Sequence, residues 1–162
     1  MKHEAWKREA ESGWISNFTG DKVLATPEQL RWGPQKPCEG DVLFCHGIET
    51  MMGAGSPDLK NGMAISRFQF TADMSSAKVA MYSSDADMLI VPQMGVLLVT
   101  TEMGLLRVAQ KEILVVPRGV KFAVDKEGEM SRGWICETFT GHFVIPDLGP
   151  IGSNGLANER DF

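Results

Sequence analysis

Few side chains in this sequence could carry out catalysis or hold a metal ion. The 162 residues include three histidines and three cysteines, namely His3, His46, His142, Cys38, Cys45 and Cys136. A zinc site needs imidazole, thiolate or carboxylate groups that converge from neighbouring strands. The two later histidines and the two earlier cysteines could supply such a set, but their spacing matches no zinc finger or ribbon. Cys45 and His46 are also adjacent, so in a strand they point to opposite faces. We favour a buried thiol and a hydrogen-bonded imidazole.

Acidic and hydroxyl side chains offer no stronger catalytic pattern. Asp85 and Asp87 could form a pair of catalytic carboxylates, but in SSDAD, ahead of a strand, they are typical of turn residues that bond nearby backbone N–H groups. Ser83 and Ser84 lack a nucleophile elbow and a local histidine. The glycine-rich stretch GAGSPDLKNG precedes a strand rather than a phosphate-binding helix. The sequence therefore predicts no catalytic, cofactor-binding or metal-binding residue in this chain.

The composition of the chain bears on its binding partners and its cellular compartment. Sixteen Lys and Arg against twenty-one Asp and Glu give a formal charge of −5, and no basic run could neutralise a row of phosphates. The longest apolar runs, at Met88 and Ile113, are far shorter than the roughly 20 residues that cross a bilayer. The charged start MKHEAWKREAE does not resemble a secretory signal, and three cysteines without a CxxC spacing suggest reduced thiols. We predict a cytoplasmic protein that binds neither nucleic acid nor membrane.

The secondary-structure elements predicted from the sequence, which would position any functional site, are mostly strands. Residues 3–12 have helix-forming composition, and a capping box at Thr26 predicts one or two helical turns at EQLRW. After Pro37, runs of Val, Ile, Leu and Phe recur at the intervals of a sandwich or barrel. The predicted strands are DVLFCH (41–46), MAISRFQFT (63–71), KVAMY (78–82), MLIVP (88–92), VLLVTT (96–101), LLRVA (105–109), ILVVP (113–117), VKFAVD (120–125), GWICETF (133–139) and HFVI (142–145).

Alternation and turn composition give finer predictions. In 63–71, Ala64, Ser66, Phe68 and Phe70 should share one face, with the residues between them on a wet face. The segments 102–104 and 127–129 are short enough for hairpin turns, whereas 49–62 is predicted to be a long glycine-rich loop. The run from Pro146 to Phe162 has no strand periodicity and cannot close a core by itself.

Two of the apolar runs resemble the motifs of the cupin barrels. In PRGVKF, Phe122 takes the position at which cupins usually have a metal-binding histidine. In MYSSDADMLIVPQMG, Met88 stands at the glutamate position and the histidine positions fall among residues 81–84. Thioether, hydroxyl and phenyl groups cannot replace these ligands around a hard divalent ion, but they fill a barrel interior well. We predict a mainly β, cupin-like (jelly-roll) barrel over 38–145, with a short N-terminal helix in a lead-in over 1–37 and an irregular tail over 146–162.

Five stretches carry a closer resemblance: QLRW at 29–32, GAGSPDLKNGMAI from Gly53, YSSDADMLIVPQMG from Tyr82, RGVKF from Arg118 and PDLGPIGSNGLANERDF from Pro146. Together they resemble the homogentisate 1,2-dioxygenase family, whose members are ring-opening iron enzymes of tyrosine and phenylalanine catabolism. The likeness implies that this chain is the first, non-catalytic barrel and that 146–162 is a connector towards a second barrel. In the family, that second barrel binds Fe(II).

The resemblance implies a structural role within an oxidoreductase. The chain alone is expected to be inactive and to bind no cofactor, and its expected partners are the second barrel or other subunits of a homo-oligomer. Two alternatives are a stand-alone, metal-free module that binds a small ligand or assists assembly, and an unrecognised metalloenzyme.

Overall fold

The described part of the chain is built from antiparallel strands. The computed structural model describes residues 13–15, 18–19, 33 and 36–144. Its six strands are β1 (Ile48–Ser56), β2 (Asn61–Phe70), β3 (Asp87–Thr101), β4 (Gly104–Val108), β5 (Leu114–Val116) and β6 (Phe122–Thr138). They are ordered β1-β2-β6-β3-β4, with β5 also paired to β3. The predicted β architecture is confirmed. The predicted helix at 3–12, the helical turns at EQLRW and the tail 146–162 lie outside the described residues, and the division into three segments stays a prediction.

One long ladder, between β3 and β6, joins two halves of the sheet. One half contains β1, β2 and β5, and the other contains β4. β3 and β6 pair from Asp87 opposite Thr138 to Thr101 opposite Phe122, with register shifts on either side of Met94. Such bulges bend a strand without ending it. Gly95 lies at the bend of β3 with a φ of +80°, a conformation that glycine adopts easily. Before the bend, β3 pairs with β5, and after it β3 pairs with β4.

The core lies between these halves. Phe44, in the turn before β1, has its ring centroid 5.1 Å from that of Phe68 on β2 and 6.3 Å from that of Phe122 at the start of β6. All three side chains are at most 1% exposed. A single aromatic ring therefore contacts both halves, at separations typical of favourable tilted and edge-on ring pairs.

Two local predictions are confirmed. On β2, Ala64, Ser66, Phe68 and Phe70 are fully buried and alternate with partly exposed residues. Glu102 and Met103 form the turn between β3 and β4, closed by a 3.0 Å hydrogen bond from the Thr101 hydroxyl to the Gly104 carbonyl. In both cases the signal is local, because side-chain alternation and a two-residue turn depend on neighbours in sequence.

The predicted loop at 49–62 is wrong. These residues form most of β1, a tight turn at 57–60 and the first two residues of β2, paired from Ile48 opposite Phe68 to Ser56 opposite Asn61. Gly55 and Gly62 face each other with φ values of +81° and +103°. A Cβ at Gly55 would lie 2.1 Å from the Asn61 carbonyl oxygen. The glycines therefore permit close backbone approach within a hairpin, and their number does not indicate a loop.

Other strand boundaries also differ from prediction. The segments 88–92 and 96–101 are one strand, β3, and the predicted hairpin turn at 127–129 lies inside β6 because the bulges bend the pair without a break. Residues 44–46 form a turn, in which the His46 N–H donates to the Leu43 carbonyl at 3.0 Å. In 78–82 only Met81 pairs, through a bridge to Phe122. Residues 142–144 are not a strand, and 145 lies outside the described residues.

Gly133 gives the first testable prediction. A Cβ there would lie 2.2 Å from the Val91 carbonyl oxygen and 2.7 Å from the Phe68 ring. We expect Gly133→Ala to lower the free energy of unfolding by about 2 kcal/mol, since neither backbone nor a packed ring can move aside without strain. Chemical denaturation measures this. Gly141→Ala is the matched control, because nothing lies within 4 Å of its Cβ; equal stabilities for the two variants would contradict the prediction.

Candidate functional site

The positions that match the cupin metal ligands lie in the barrel interior. Met81, Met88 and Phe122 are 5%, 1% and 1% exposed and belong to one apolar cluster. Met81 and Phe122 are held side by side by reciprocal backbone hydrogen bonds of 2.8 and 2.9 Å. The predicted filling of the interior is confirmed for Met88 and Phe122 and, among residues 81–84, for Met81 and Ser83, whereas Tyr82 and Ser84 are exposed. Ser83 is also buried, and its hydroxyl accepts a hydrogen bond from the Ala86 N–H at 3.1 Å.

A buried carboxylate that the sequence did not reveal lies beside them. Glu137 on β6 is opposite Met88 on β3 and is 1% exposed. Its Oε2 accepts a 2.8 Å hydrogen bond from the indole N–H of Trp14, which is 8% exposed. Alternation along 133–139 does put Glu137 on the inward face with Ile135, so a signal existed. No such signal indicated Trp14, because it lies before every strand and belongs to no alternating pattern.

These side chains do not fit a catalytic iron. Fe(II) in non-haem oxygenases is held by two imidazoles and a carboxylate, with further positions open to substrate. At the matched positions this chain offers thioethers and a phenyl ring, and Glu137 is a single carboxylate already bonded to Trp14. Within the described ranges, no three His, Cys, Asp or Glu side chains group as metal ligands would. We therefore derive no chemical step through iron here.

Asp87 is the centre of a polar cluster at the start of β3. Its carboxylate is 2% exposed and accepts hydrogen bonds from the Arg118 N–H and guanidinium at 2.9 and 3.0 Å. Its second oxygen lies 2.9 Å from His142 Nδ1 and accepts a bond from the Phe143 N–H at 3.3 Å. Arg118 also donates to the Gly141 carbonyl at 2.8 Å. The cluster thus fixes residues 141–143 against β3, and we call residues 139–144 the exit segment.

The charge of Asp87 is maintained by its partners. Burial raises the pKa of Asp87, but the hydrogen bonds from the backbone and side chain of Arg118 and from His142 outweigh burial and hold that pKa below its ordinary value. The interpretation of Asp87 as a local turn residue is wrong, because its partners are 31 and 55 residues away in sequence. Asp85 is exposed and does not pair with it as a second catalytic carboxylate.

The four candidate zinc ligands do not converge on one point. Cys38 and His46 line an open cleft of about 310 Å³ beside β1. Cys45 is 1% exposed in the core, and the His142 side chain is 68% exposed and bonded to Asp87. This matches the interpretation of a buried thiol and a hydrogen-bonded imidazole.

Cys45 and Cys136 are poor nucleophiles in this fold. All three cysteines are free thiols, as predicted. Burial raises the pKa of Cys45, and burial together with the nearby Glu137 raises that of Cys136. A raised pKa lowers the fraction of reactive thiolate at neutral pH.

Comparison with known proteins identifies the family. Residues 1–162 match the family described as "Homogentisate 1,2-dioxygenase N-terminal". The chain belongs to the homogentisate 1,2-dioxygenase family. It is 49% identical to the Drosophila melanogaster enzyme over 145 residues, which is 88% of this chain and 32% of that protein. It is 45% identical to the Caenorhabditis elegans enzyme over 156 residues, 96% of this chain and 35% of that protein.

The chain spans about a third of the length of these family members. Similar solved structures include a cupin-2 domain protein from Shewanella frigidimarina, with a TM-score of 0.41 and 17% identity over 47% of this chain and 70% of that one. Another is a cupin domain from Bordetella pertussis, with a TM-score of 0.43 and 15% identity over 67% of this chain and 100% of that one. Family membership follows from the sequence matches.

The Asp87 cluster gives the second prediction. We expect Asp87→Asn to lower the free energy of unfolding by about 3 kcal/mol at pH 7, because it leaves Arg118 charged and partly buried without its carboxylate. The folded-state pKa of Asp87 is lowered, so its contribution is present above the unfolded pKa of about 4 and is lost as pH falls through the folded value. The difference between wild type and variant should therefore shrink below about pH 4.

Denaturation at a series of pH values measures this difference. Asp85→Asn is the control, since Asp85 is exposed and near in sequence. A constant difference between wild type and Asp87→Asn from pH 7 to pH 2 would show that the charge of Asp87 does not stabilise the fold.

Proposed function

We propose that this domain is the non-catalytic, N-terminal support of an iron-dependent dioxygenase that opens the ring of homogentisate. The carrying observation is that Met88 and Phe122 occupy cupin ligand positions and are buried together with Met81, which lies in the stretch that matches the histidine positions. Family membership supports the reaction, and the donor chemistry supports iron binding outside these residues. The iron would then lie in the portion of the relatives that this chain does not match.

The closely packed interior of this domain is consistent with the proposed supporting role. Phe44, Phe68 and Phe122 form ring contacts in the centre, and Trp14 adds an indole anchored on Glu137. Close packing of this kind makes a domain resist deformation. In the proposed enzyme, the domain would hold the catalytic portion in place and take part in assembling a homo-oligomer. Three free cysteines suit the reducing cytoplasm in which we propose that it acts.

The proposal predicts that the chain does not hold a transition metal. After incubation with excess Fe(II) or Zn²⁺ and gel filtration, we expect less than about 0.1 metal ion per chain, because thioether and phenyl groups provide no site. Elemental analysis makes the measurement. About one equivalent of metal, lost on mutation of His46 or His142 to alanine, would contradict the proposal and favour the metalloenzyme alternative.

The proposal also predicts that the chain alone does not open the ring. With homogentisate, Fe(II), ascorbate and oxygen, product should stay at the level of a no-protein control, because the chain offers no set of imidazole and carboxylate ligands with open coordination positions. The full-length Drosophila relative serves as the positive control. Product formation above background that scales with the concentration of this chain would show that the catalytic centre lies here.

A further inference from the structure

The sheet formed by β1, β2, β6, β3 and β5 carries a continuous row of apolar side chains on the face turned away from the core. In register order, one from each strand, the row consists of Met52, Ile65, Cys136, Leu89 and Val115. Because adjacent strands lie about 4.8 Å apart, the row is about 19 Å across. We call these five residues together with Trp134, two positions before Cys136 on β6, the outer apolar face.

This composition is unusual for the outward side of an antiparallel sheet. A sheet with one face in the core normally carries polar side chains on the other face. Here Met52, Trp134 and Val115 are 45%, 42% and 39% exposed. The Arg67–Glu49 ion pair borders the outer apolar face beside Trp134, and beyond the bend Arg107 and Glu127 form another exposed ion pair. A contiguous exposed apolar patch marks a surface that another protein segment covers.

The exit segment lies on the same side of the sheet. Asp87 precedes Leu89 by two positions on β3, so their side chains share a face, and the Asp87 carboxylate holds the exit segment. Arg118 fixes the Gly141 carbonyl from the turn after β5. The exit segment therefore lies beside the outer apolar face, in a position set by these bonds.

We propose that the outer apolar face is covered by the portion of the dioxygenase polypeptide that follows this domain in full-length relatives. The relatives are about three times as long as the matched stretch, so they contain enough chain to cover it. Tethering through a fixed exit segment gives that portion a high effective concentration at the face. The inference rests on the proposed role only in taking the rest of the enzyme as the partner.

Cys136, in the middle of the row, reports whether the face is covered. This chain would be co-expressed with the carboxyl-terminal portion of the Drosophila relative that it does not match, and the complex purified through a tag on that portion. Alkylation with iodoacetamide, followed by peptide mass spectrometry, gives the labelling rate of each cysteine. We expect Cys136 to react at least about tenfold more slowly in the complex than in the isolated chain, because labelling then requires the interface to open. Cys38, beside β1 and outside the face, serves as the internal reference.

A matched pair of substitutions tests the face by charge. Trp134→Glu puts a carboxylate into the outer apolar face, and Leu105→Glu does the same on β4, where Leu105 is 79% exposed. We expect Trp134→Glu to weaken co-purification roughly tenfold or more, as loss of a central aromatic contact does. Leu105→Glu should leave it unchanged. Thermal unfolding of both isolated variants checks that each keeps the wild-type fold; if Trp134→Glu unfolds, Val115→Thr takes its place and should weaken co-purification in the same direction.

Several results would overturn the inference. Absence of co-purification with the wild-type chain would do so, as would a complex in which Cys136 reacts at its free rate. Protection of Cys136 in the isolated chain that grows with concentration would show that a second copy covers the face. Equal effects of Trp134→Glu and Leu105→Glu would place the contact elsewhere. Metal content and turnover test the proposed role separately, so the role can fail while the surface stands.

Discussion

The pairing of β3 with β6 is the interaction on which the rest of the structure depends. Each strand is long enough to take part in both halves of the sheet, and the ladder between them runs through two register shifts near Met94. β2 joins one end of β6, and β4 and β5 join different parts of β3. Since every other strand except β1 pairs directly with one of these two, a slip in their register would turn the inward side chains of both halves outward.

That ladder also explains how the ligand positions of a cupin barrel come to be filled. Met88 and Phe122 lie at opposite ends of the ladder, at the start of β3 and of β6, and both point into the core that Phe44 completes. Apolar side chains are favourable there because they are removed from water and closely packed. Glu137 is tolerated in the same interior because its carboxylate is hydrogen-bonded to Trp14.

The polar contacts at the end of the ladder connect this packing to the exit segment. Asp87 belongs to the first pair of the ladder and is buried, and with Arg118 it fixes the exit segment. Buried charged groups of this kind specify one arrangement when all partners are satisfied. Together with the outer apolar face, they define the side on which we propose that the rest of the dioxygenase packs.

The sequence by itself determined the features that depend on near neighbours. Alternation in β2, the turn at Glu102, the strand-forming runs and the family motifs could all be found, because each is written within a few consecutive residues. Tertiary structure alone decided that 49–62 is a hairpin and that 127–129 continues a strand, since glycine serves turns, bulges and close approach alike. It also decided the roles of Asp87 and Trp14. Their partners lie 31 or more residues away, and no local pattern encodes a contact between groups that only the folded chain brings together.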